Sequence, residues 1–302
     1  MKKVVILMST YNGEKYLREQ LDSVFSQTYR NIEILIRDDG STDSTLSILE
    51  EYCSKHNNIT FYKGDNLKPA KSFMHLLSQA PIADYYAFCD QDDVWKPEKI
   101  ETAINKLESI SSELPAVYIG TLTYVDKELN IIGRRKDFEY HMTFAESWIS
   151  CVATGCTMVM NAKLRKLVIG INCDNIEMHD IWAYRICLAY GGQAIYDYTP
   201  YILYRQHGNN VIGANTSLRD KWLRRIQSLI HREQGKRWLM SLQMYQCCID
   251  TIPAQERKTL ETIVNYKSSL KCKMKMIFGR EFQVNDNLQN LIFHSSVLFN
   301  RY

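Results

Sequence analysis

The chain has 302 residues, 45% of them apolar and 24% charged. Those proportions exclude a disordered or collagen-like polymer and leave room for one large α/β domain, or a catalytic domain with an appendage. The net charge of +3 averages two unlike regions: residues 1–215 hold 22 basic and 27 acidic groups, residues 216–302 hold 15 and 7.

Up to about residue 110 the pattern alternates between short apolar runs and segments of helical period, as in stacked βαβ units. Val4–Met8 reads as a buried strand, 13–27 as a helix with Leu17, Leu21, Val24 and Phe25 on one face, and Ile32–Ile36 as a second strand. A helix over 43–55, a strand over Ile59–Tyr62, a helix over 69–79 and a strand over Tyr85–Cys89 follow, and Pro97 opens a helix to about Ser109. Parallel strands joined by helices predict a doubly wound sheet with its ligand site at the carboxyl ends of the strands. Three polar clusters, Ser9–Asn12, Asp38-Asp39 and Asp90–Asp93, each follow a predicted strand and so converge on that one edge. Beyond 115 the reading is strands over 117–122, 154–160 and 198–204, a helix over 179–189, and a helical, basic region from 216 to 302 broken near Pro253.

Asp90, Asp92 and Asp93 repel one another unless a cation sits between them. Mg²⁺ or Mn²⁺ shared with a substrate diphosphate would remove that cost; a solvated acidic loop before Pro97 is the other reading. Asp38 and Asp39 serve a turn and helix cap in part, and a carboxylate there can also accept a pyrimidine ring N–H, with Tyr11 packing on the base. Neither G-x-G-x-x-G nor G-x-x-x-x-G-K-[ST] occurs, which counts against a dehydrogenase and a P-loop enzyme.

Together the segments 8–14, 26–29, 37–43, 89–95 and 178–180 (Met8-Ser9-Thr10-Tyr11-Asn12-Gly13-Glu14, Ser26-Gln27-Thr28-Tyr29, Arg37-Asp38-Asp39-Gly40-Ser41-Thr42-Asp43, Cys89-Asp90-Gln91-Asp92-Asp93-Val94-Trp95 and Met178-His179-Asp180) resemble an inverting family 2 glycosyltransferase. The segment 204–213 resembles the bacterial rhamnosyltransferase-like branch. The resemblance implies an α/β fold of GT-A type: a Rossmann-like, mostly parallel central sheet flanked by helices. It implies a catalytic domain over 1–215, with a nucleotide-sugar half to about 110 and an acceptor half beyond, and a helical extension over 216–302.

It also implies roles. Thr10, Tyr11, Asn12, Glu14, Asp39, Asp90, Gln91 and Arg205 would bind the nucleotide sugar, Asp39 reading the base, Asp90 facing the ribose and Arg205 clamping the diphosphate. Asp92 would hold the Mg²⁺ or Mn²⁺, with His207 as a further metal ligand or phosphate contact, unless that histidine is structural. Asp180 would be the general base, with His179 standing where relatives often carry glutamate. Gly155, Cys156, His179 and Trp182 would lie on the acceptor side. The implied reaction is sugar transfer from a nucleotide-diphosphate donor (dTDP-L-rhamnose or a UDP-sugar) to a glycan or lipid-linked saccharide in surface polysaccharide synthesis. A nucleotidyltransferase and a non-catalytic nucleotide-sugar-binding module are the alternatives.

Nine cysteines without a C-x-x-C pair predict reduced thiols, no zinc and a cytoplasmic location. The apolar run at the N-terminus is too short for a signal peptide, and none reaches the ~20 residues of a membrane span. Basic residues interleaved with apolar ones over 216–240, and Lys267, Lys271, Lys273 and Lys275, read as helices packed on the catalytic domain or as peripheral contact with an anionic inner membrane face. Nucleic acid is not expected, because no recognition motif accompanies the charge.

Overall fold

A computed structural model describes residues 1–135, 138–171, 173, 176, 178–206 and 235–302. Strands β1 (Val4–Thr10), β2 (Ile32–Asp38), β3 (Ile59–Lys63) and β4 (Tyr85–Cys89) alternate with helices α1 (Leu17–Phe25), α2 (Thr45–Lys55) and α3 (Lys68–Gln79). β5 (Val94–Trp95), α4 (Lys99–Leu107), β6 (Ala116–Gly120), β7 (Thr123–Val125), β8 (Ile131–Arg134) and α5 (Phe144–Ile149) follow. Next come β9 (Val159–Asn161), α6 (Ala162–Gly170), α7 (His179–Ala189), β10 (Gln193–Asp197) and β11 (Ile202–Arg205). Helices α8 (Lys236–Cys248), α9 (Ala254–Val264), α10 (Leu270–Phe278) and α11 (Asn287–Leu298) complete the described chain.

The main sheet has seven strands in the order β10-β6-β9-β4-β1-β2-β3. β1 runs parallel to both β2 and β4, and all five apolar side chains from Val4 to Met8 are fully buried, as expected for a strand covered on both faces. The α/β expectation holds with one change of direction. β9 is antiparallel to both β4 and β6, so the sheet is mixed. The strand expected over 154–160 is thereby shortened: Gly155–Thr157 form a single 3₁₀ turn, and only Val159–Asn161 pair. The strand expected over 198–204 begins at Ile202, and it belongs to a second, four-stranded sheet, β5-β11-β7-β8, which sequence periodicity did not announce.

Each face of the main sheet has its own core. Leu17, Leu21, Leu49 and Ile100 from α1, α2 and α4 pack on one side. On the other, Phe73, Leu76 and Leu77 of α3 join Trp148, Trp182 and Ile186. Met240 and Met244 of α8, Leu260 and Ile263 of α9, and Phe293 and Val297 of α11 belong to this same second core. The helices after residue 235 are therefore packed on the catalytic region, while the expected boundary at 215 and the basic stretch up to residue 234 lie outside the described residues.

Candidate active site

Because β1, β2 and β4 are parallel and in register, their polar sequels leave the sheet at one edge. The Tyr11 N–H donates to Gln91 Oε1 at 2.9 Å, and Gln91 Nε2 donates back to the Tyr11 carbonyl at 3.1 Å. Gly13 permits this contact, since a Cβ there would lie 2.3 Å from Gln91 Oε1. Asn12 adopts φ 48°, a left-handed conformation that asparagine tolerates, and its Oδ1 accepts the Thr42 N–H at 2.8 Å. Glu14 Oε2 accepts the Ser44 N–H at 3.0 Å, just before α2. Asn12 and Glu14 thus brace the turn after β2, while the Tyr11 ring stays 49% exposed at the rim.

The two adjacent aspartates after β2 do different things. Asp38, fully buried, accepts the Thr10 hydroxyl at 2.9 Å, the Gly40 and Ser41 N–H groups and the Ser41 hydroxyl, and so builds the turn. Asp39 accepts the Leu67 and Lys68 N–H groups on Oδ2 at 2.9 and 3.1 Å, and the Arg37 guanidinium faces Oδ1. Its carboxylate therefore holds down the start of α3.

The acidic cluster after β4 is partly internal. Asp93 is fully buried; its Oδ1 accepts the Arg205 N–H at 3.2 Å, and its Oδ2 accepts no N–H or O–H. Asp90, Asp93 and Cys156 place one oxygen or sulfur each within 4.8 Å of one another. Burial first, then the Asp92 and Asp180 carboxylates, push Asp90 up to about 7. The same burial, with Asp92 and Asp90 nearby, raises Asp93 well above the usual carboxylate range. Cys156 is raised as well, by burial and then by Asp93 and Asp90, so its thiol stays protonated beside these carboxyls. A protonated thiol is a poor ligand for a hard cation, whereas the Asp90 and Asp92 carboxyls, half-buried at the rim, supply the oxygen such a cation takes. The crowding of three carboxyls fits a divalent ion there.

Across the edge stands Asp180, in the first turn of α7. Gly155 donates its N–H to Asp180 Oδ2 at 2.9 Å, and the Ile181 N–H reaches Oδ1 at 2.7 Å. A Cβ on Gly155 would lie 2.7 Å from His179 Nε2, so the 3₁₀ turn and the start of α7 touch without room for a side chain. Asp180 therefore has a fixed carboxylate near Asp90.

Residues 5–168 match the family model described as glycosyl transferase family 2. The chain is a family 2 glycosyltransferase. It is similar to the dTDP-rhamnosyl transferase RfbG of Shigella flexneri, 33% identical over 239 residues that span 72% of this chain and 77% of that protein. It is also similar to the putative glycosyltransferase EpsE of Bacillus subtilis, 37% identical over 44% of this chain and 47% of that one. Among solved structures, TarS 1-349 of S. aureus in complex with UDP-GlcNAc shares the fold with a TM-score of 0.59 at 15% identity, over 99% of this chain and 82% of that one. The mannosyltransferase PcManGT of Pyrobaculum calidifontis, in complex with GDP-Man and Mn²⁺, gives a TM-score of 0.51 at 14% identity, covering 100% and 88%.

The glycosyltransferase brings together Thr10, Tyr11, Asn12, Glu14, Asp90, Gln91, Asp92 and Asp180 at one edge, and departs from the expected roles at five other positions. Arg205 is 1% exposed and committed: its guanidinium donates to the Asp92 carbonyl at 3.0 Å, the Lys127 carbonyl at 2.5 Å and the Glu19 carboxylate, so it fastens the acidic loop from behind and does not clamp a diphosphate. Trp182 is fully buried in the second core and offers no face to a sugar. His179 is also internal. It stacks on Phe73 at 4.1 Å and meets the edge of Phe88 at 4.6 Å, neither ring nitrogen has a hydrogen-bond partner, and burial lowers it to about 4. Cys156 packs beneath the carboxyls and not on an open acceptor face. Asp39, 3% exposed, could read a base only after its bonds to Leu67 and Lys68 open. His207 lies outside the described residues.

Two buried residues add to the site beyond the expected roles: Asp93, which anchors the Arg205 N–H, and Lys99. Lys99 is fully buried with Nζ 3.5 Å over the Trp95 ring, and burial lowers it to about 8, against the pull of Cys89, Cys156 and Asp93. The signal for Lys99 was its place two residues after Pro97, on the inner side of the helix that begins there.

Proposed function

We propose that this family 2 glycosyltransferase is a metal-dependent inverting enzyme that moves a hexose from a nucleotide-diphosphate donor to a hydroxyl of a glycan or lipid-linked saccharide, in bacterial surface polysaccharide synthesis. The donor favoured is dTDP-L-rhamnose, on the strength of the RfbG likeness; a UDP-sugar is second. The observation that carries the reading is the opposition of Asp180 to the Asp90–Asp93 edge, close enough for Asp180 to raise Asp90. The same opposition, in a chain of this family, makes the nucleotidyltransferase and the inert binding module the weaker readings.

The residues divide the work as follows. Tyr11 packs on the base, with the 10–14 segment and Gln91 shaping the nucleotide pocket. Asp90 and Asp92 would hold a divalent cation, which when bound offsets charge developing on the leaving diphosphate. Asp180 takes the proton from the acceptor hydroxyl as that oxygen attacks the anomeric carbon from the side opposite the leaving group. Two backbone N–H groups keep its carboxylate aimed until the proton moves. The lipid-linked acceptor would sit at the inner face of the membrane, which the basic 216–302 region would approach.

Thermal-shift screening of dTDP-, UDP- and GDP-sugars with Mg²⁺ or Mn²⁺ identifies the donor, because stabilisation grows with occupancy. Asp180→Asn should cut turnover roughly 100-fold or more while leaving the donor-induced shift in place. Turnover surviving that substitution would remove Asp180 as the base. Asp92→Ala should abolish metal stimulation and most activity together; an active variant with unchanged metal response places the ion elsewhere.

A further inference from the structure

Among the described residues thirteen large apolar side chains are exposed, and six of them lie within residues 270–299. Leu270 (74%), Met274 (44%) and Phe278 (68%) recur every four residues and so form one stripe along α10. Leu291 (63%) and Leu298 (55%) of α11, with Phe299 (68%) just past its end, do the same at seven- and eight-residue intervals, and α11 packs against α10. The inward sides of these helices are already occupied: Met276, Phe293 and Val297 are buried, and Phe293 meets Tyr302 at 5.3 Å. The outward stripes are therefore apolar surface in addition to what the core uses. Isolated exposed leucines need no explanation, but such a concentration on two adjoining helices does.

The charges around it name the occupant. Residues 265–302 carry six Lys or Arg and two acids. Both acids are engaged close to home, Glu281 with Lys275 at 3.1 Å and Asp286 with the Leu288 and Gln289 N–H groups that begin α11. Helix α11 itself carries no Asp, Glu, Lys or Arg over its 12 residues. Lys267, Lys271 and Arg280 are exposed beside the stripe of α10, and Arg301 follows that of α11. Apolar stripes with a cationic border match the acyl boundary and anionic headgroups of a bilayer, whereas a second copy of this chain would set like charges against each other.

We propose that the outward face of α10 and α11 is a membrane-docking surface, which seats Leu270, Phe278, Leu291 and Phe299 among the acyl chains of an anionic leaflet. This deepens the peripheral-membrane element of the proposed function, and it locates the contact in the last two helices.

Flotation of the full chain with phosphatidylcholine vesicles, with and without phosphatidylglycerol, tests it. The protein should float with the anionic vesicles, and salt should weaken the binding. Leu291→Glu combined with Phe299→Glu should lower partitioning roughly tenfold or more, and Lys271→Glu by roughly fivefold. Both glutamates replace exposed side chains, and an unchanged melting temperature verifies the fold; if that double variant fails to fold, Lys271→Glu and the salt series still decide. Failure of the unaltered chain to float, partitioning indifferent to all three substitutions, or a dimer that the glutamates dissolve in place of vesicle binding would each overturn the proposal. The donor-induced thermal shift is read separately, so failure here leaves the sugar-transfer reading standing.

Discussion

His179 and Asp180 are neighbours in sequence and opposites in environment. The histidine is 3% exposed between two phenylalanines and stays neutral; the aspartate holds two backbone N–H groups. With a folded value of about 4 against 6.5 unfolded, His179 binds its proton more readily in the unfolded chain. Its contribution is thus fully present above pH 6.5 and is lost as pH falls toward 4, by about 3 kcal/mol at most. His179→Phe, which keeps the stacking, should flatten the fall in melting temperature across that window. Gly155→Ala should strain the contact with His179 by about 1–3 kcal/mol and lower kcat with little change in donor KM, since it displaces the Asp180 partner and not the nucleotide edge. Asp180 came into view only through the family resemblance of Met178-His179-Asp180, since an acid in the first turn of a helix reads equally well as a dipole partner. The burial of His179 and Trp182 was not legible. Ten of the eleven residues of α7 are buried, so the helix has no polar side from which to read what faces the site.

At the scale of elements, β1, β2 and β4 could be read directly because strands covered on both faces are unbroken apolar runs. Their parallel pairing then made the convergence of three polar clusters a matter of topology. The second sheet escaped notice because β5 has two residues and β7 has three, shorter than any period can register. The reversal of β9 escaped because a paired segment of three residues carries no direction. What secures β9 is Asn161 at its end: Oδ1 accepts the Ala116 N–H of β6 and the Leu164 N–H of α6, both at 3.0 Å, and Nδ2 donates to the Leu114 carbonyl at 2.8 Å. One side chain thus joins strand, neighbouring strand and helix cap. Asn161→Ala should cost about 2–3 kcal/mol, seen as a lower denaturation midpoint in urea with an unchanged slope.

For the whole molecule, the contrast in charge between residues 1–215 and 216–302 does not extend to the core. Met240 and Met244 of α8 are buried with Trp148 and Trp182, and Arg185 of α7 is sandwiched by the Trp148 ring at 4.0 Å and the Ser147 carbonyl. Calorimetry should therefore show one cooperative transition, not separate melting of a catalytic region and a tail. Met244→Ala should destabilise that single transition by about 2–5 kcal/mol.

The bond from Arg205 to Glu19 joins residues 186 apart in the chain, and the same guanidinium and N–H reach Asp92 and Asp93. Loop closure of that span comes late in folding, after the local βαβ units have formed. The back wall of the acidic loop is thus absent from any nascent chain shorter than about two thirds of this length. A ribosome-bound chain of the first 110 residues would display the carboxyl edge of β1, β2 and β4 with its acidic loop unfastened. The fastening of that loop is a property that arrives with β11.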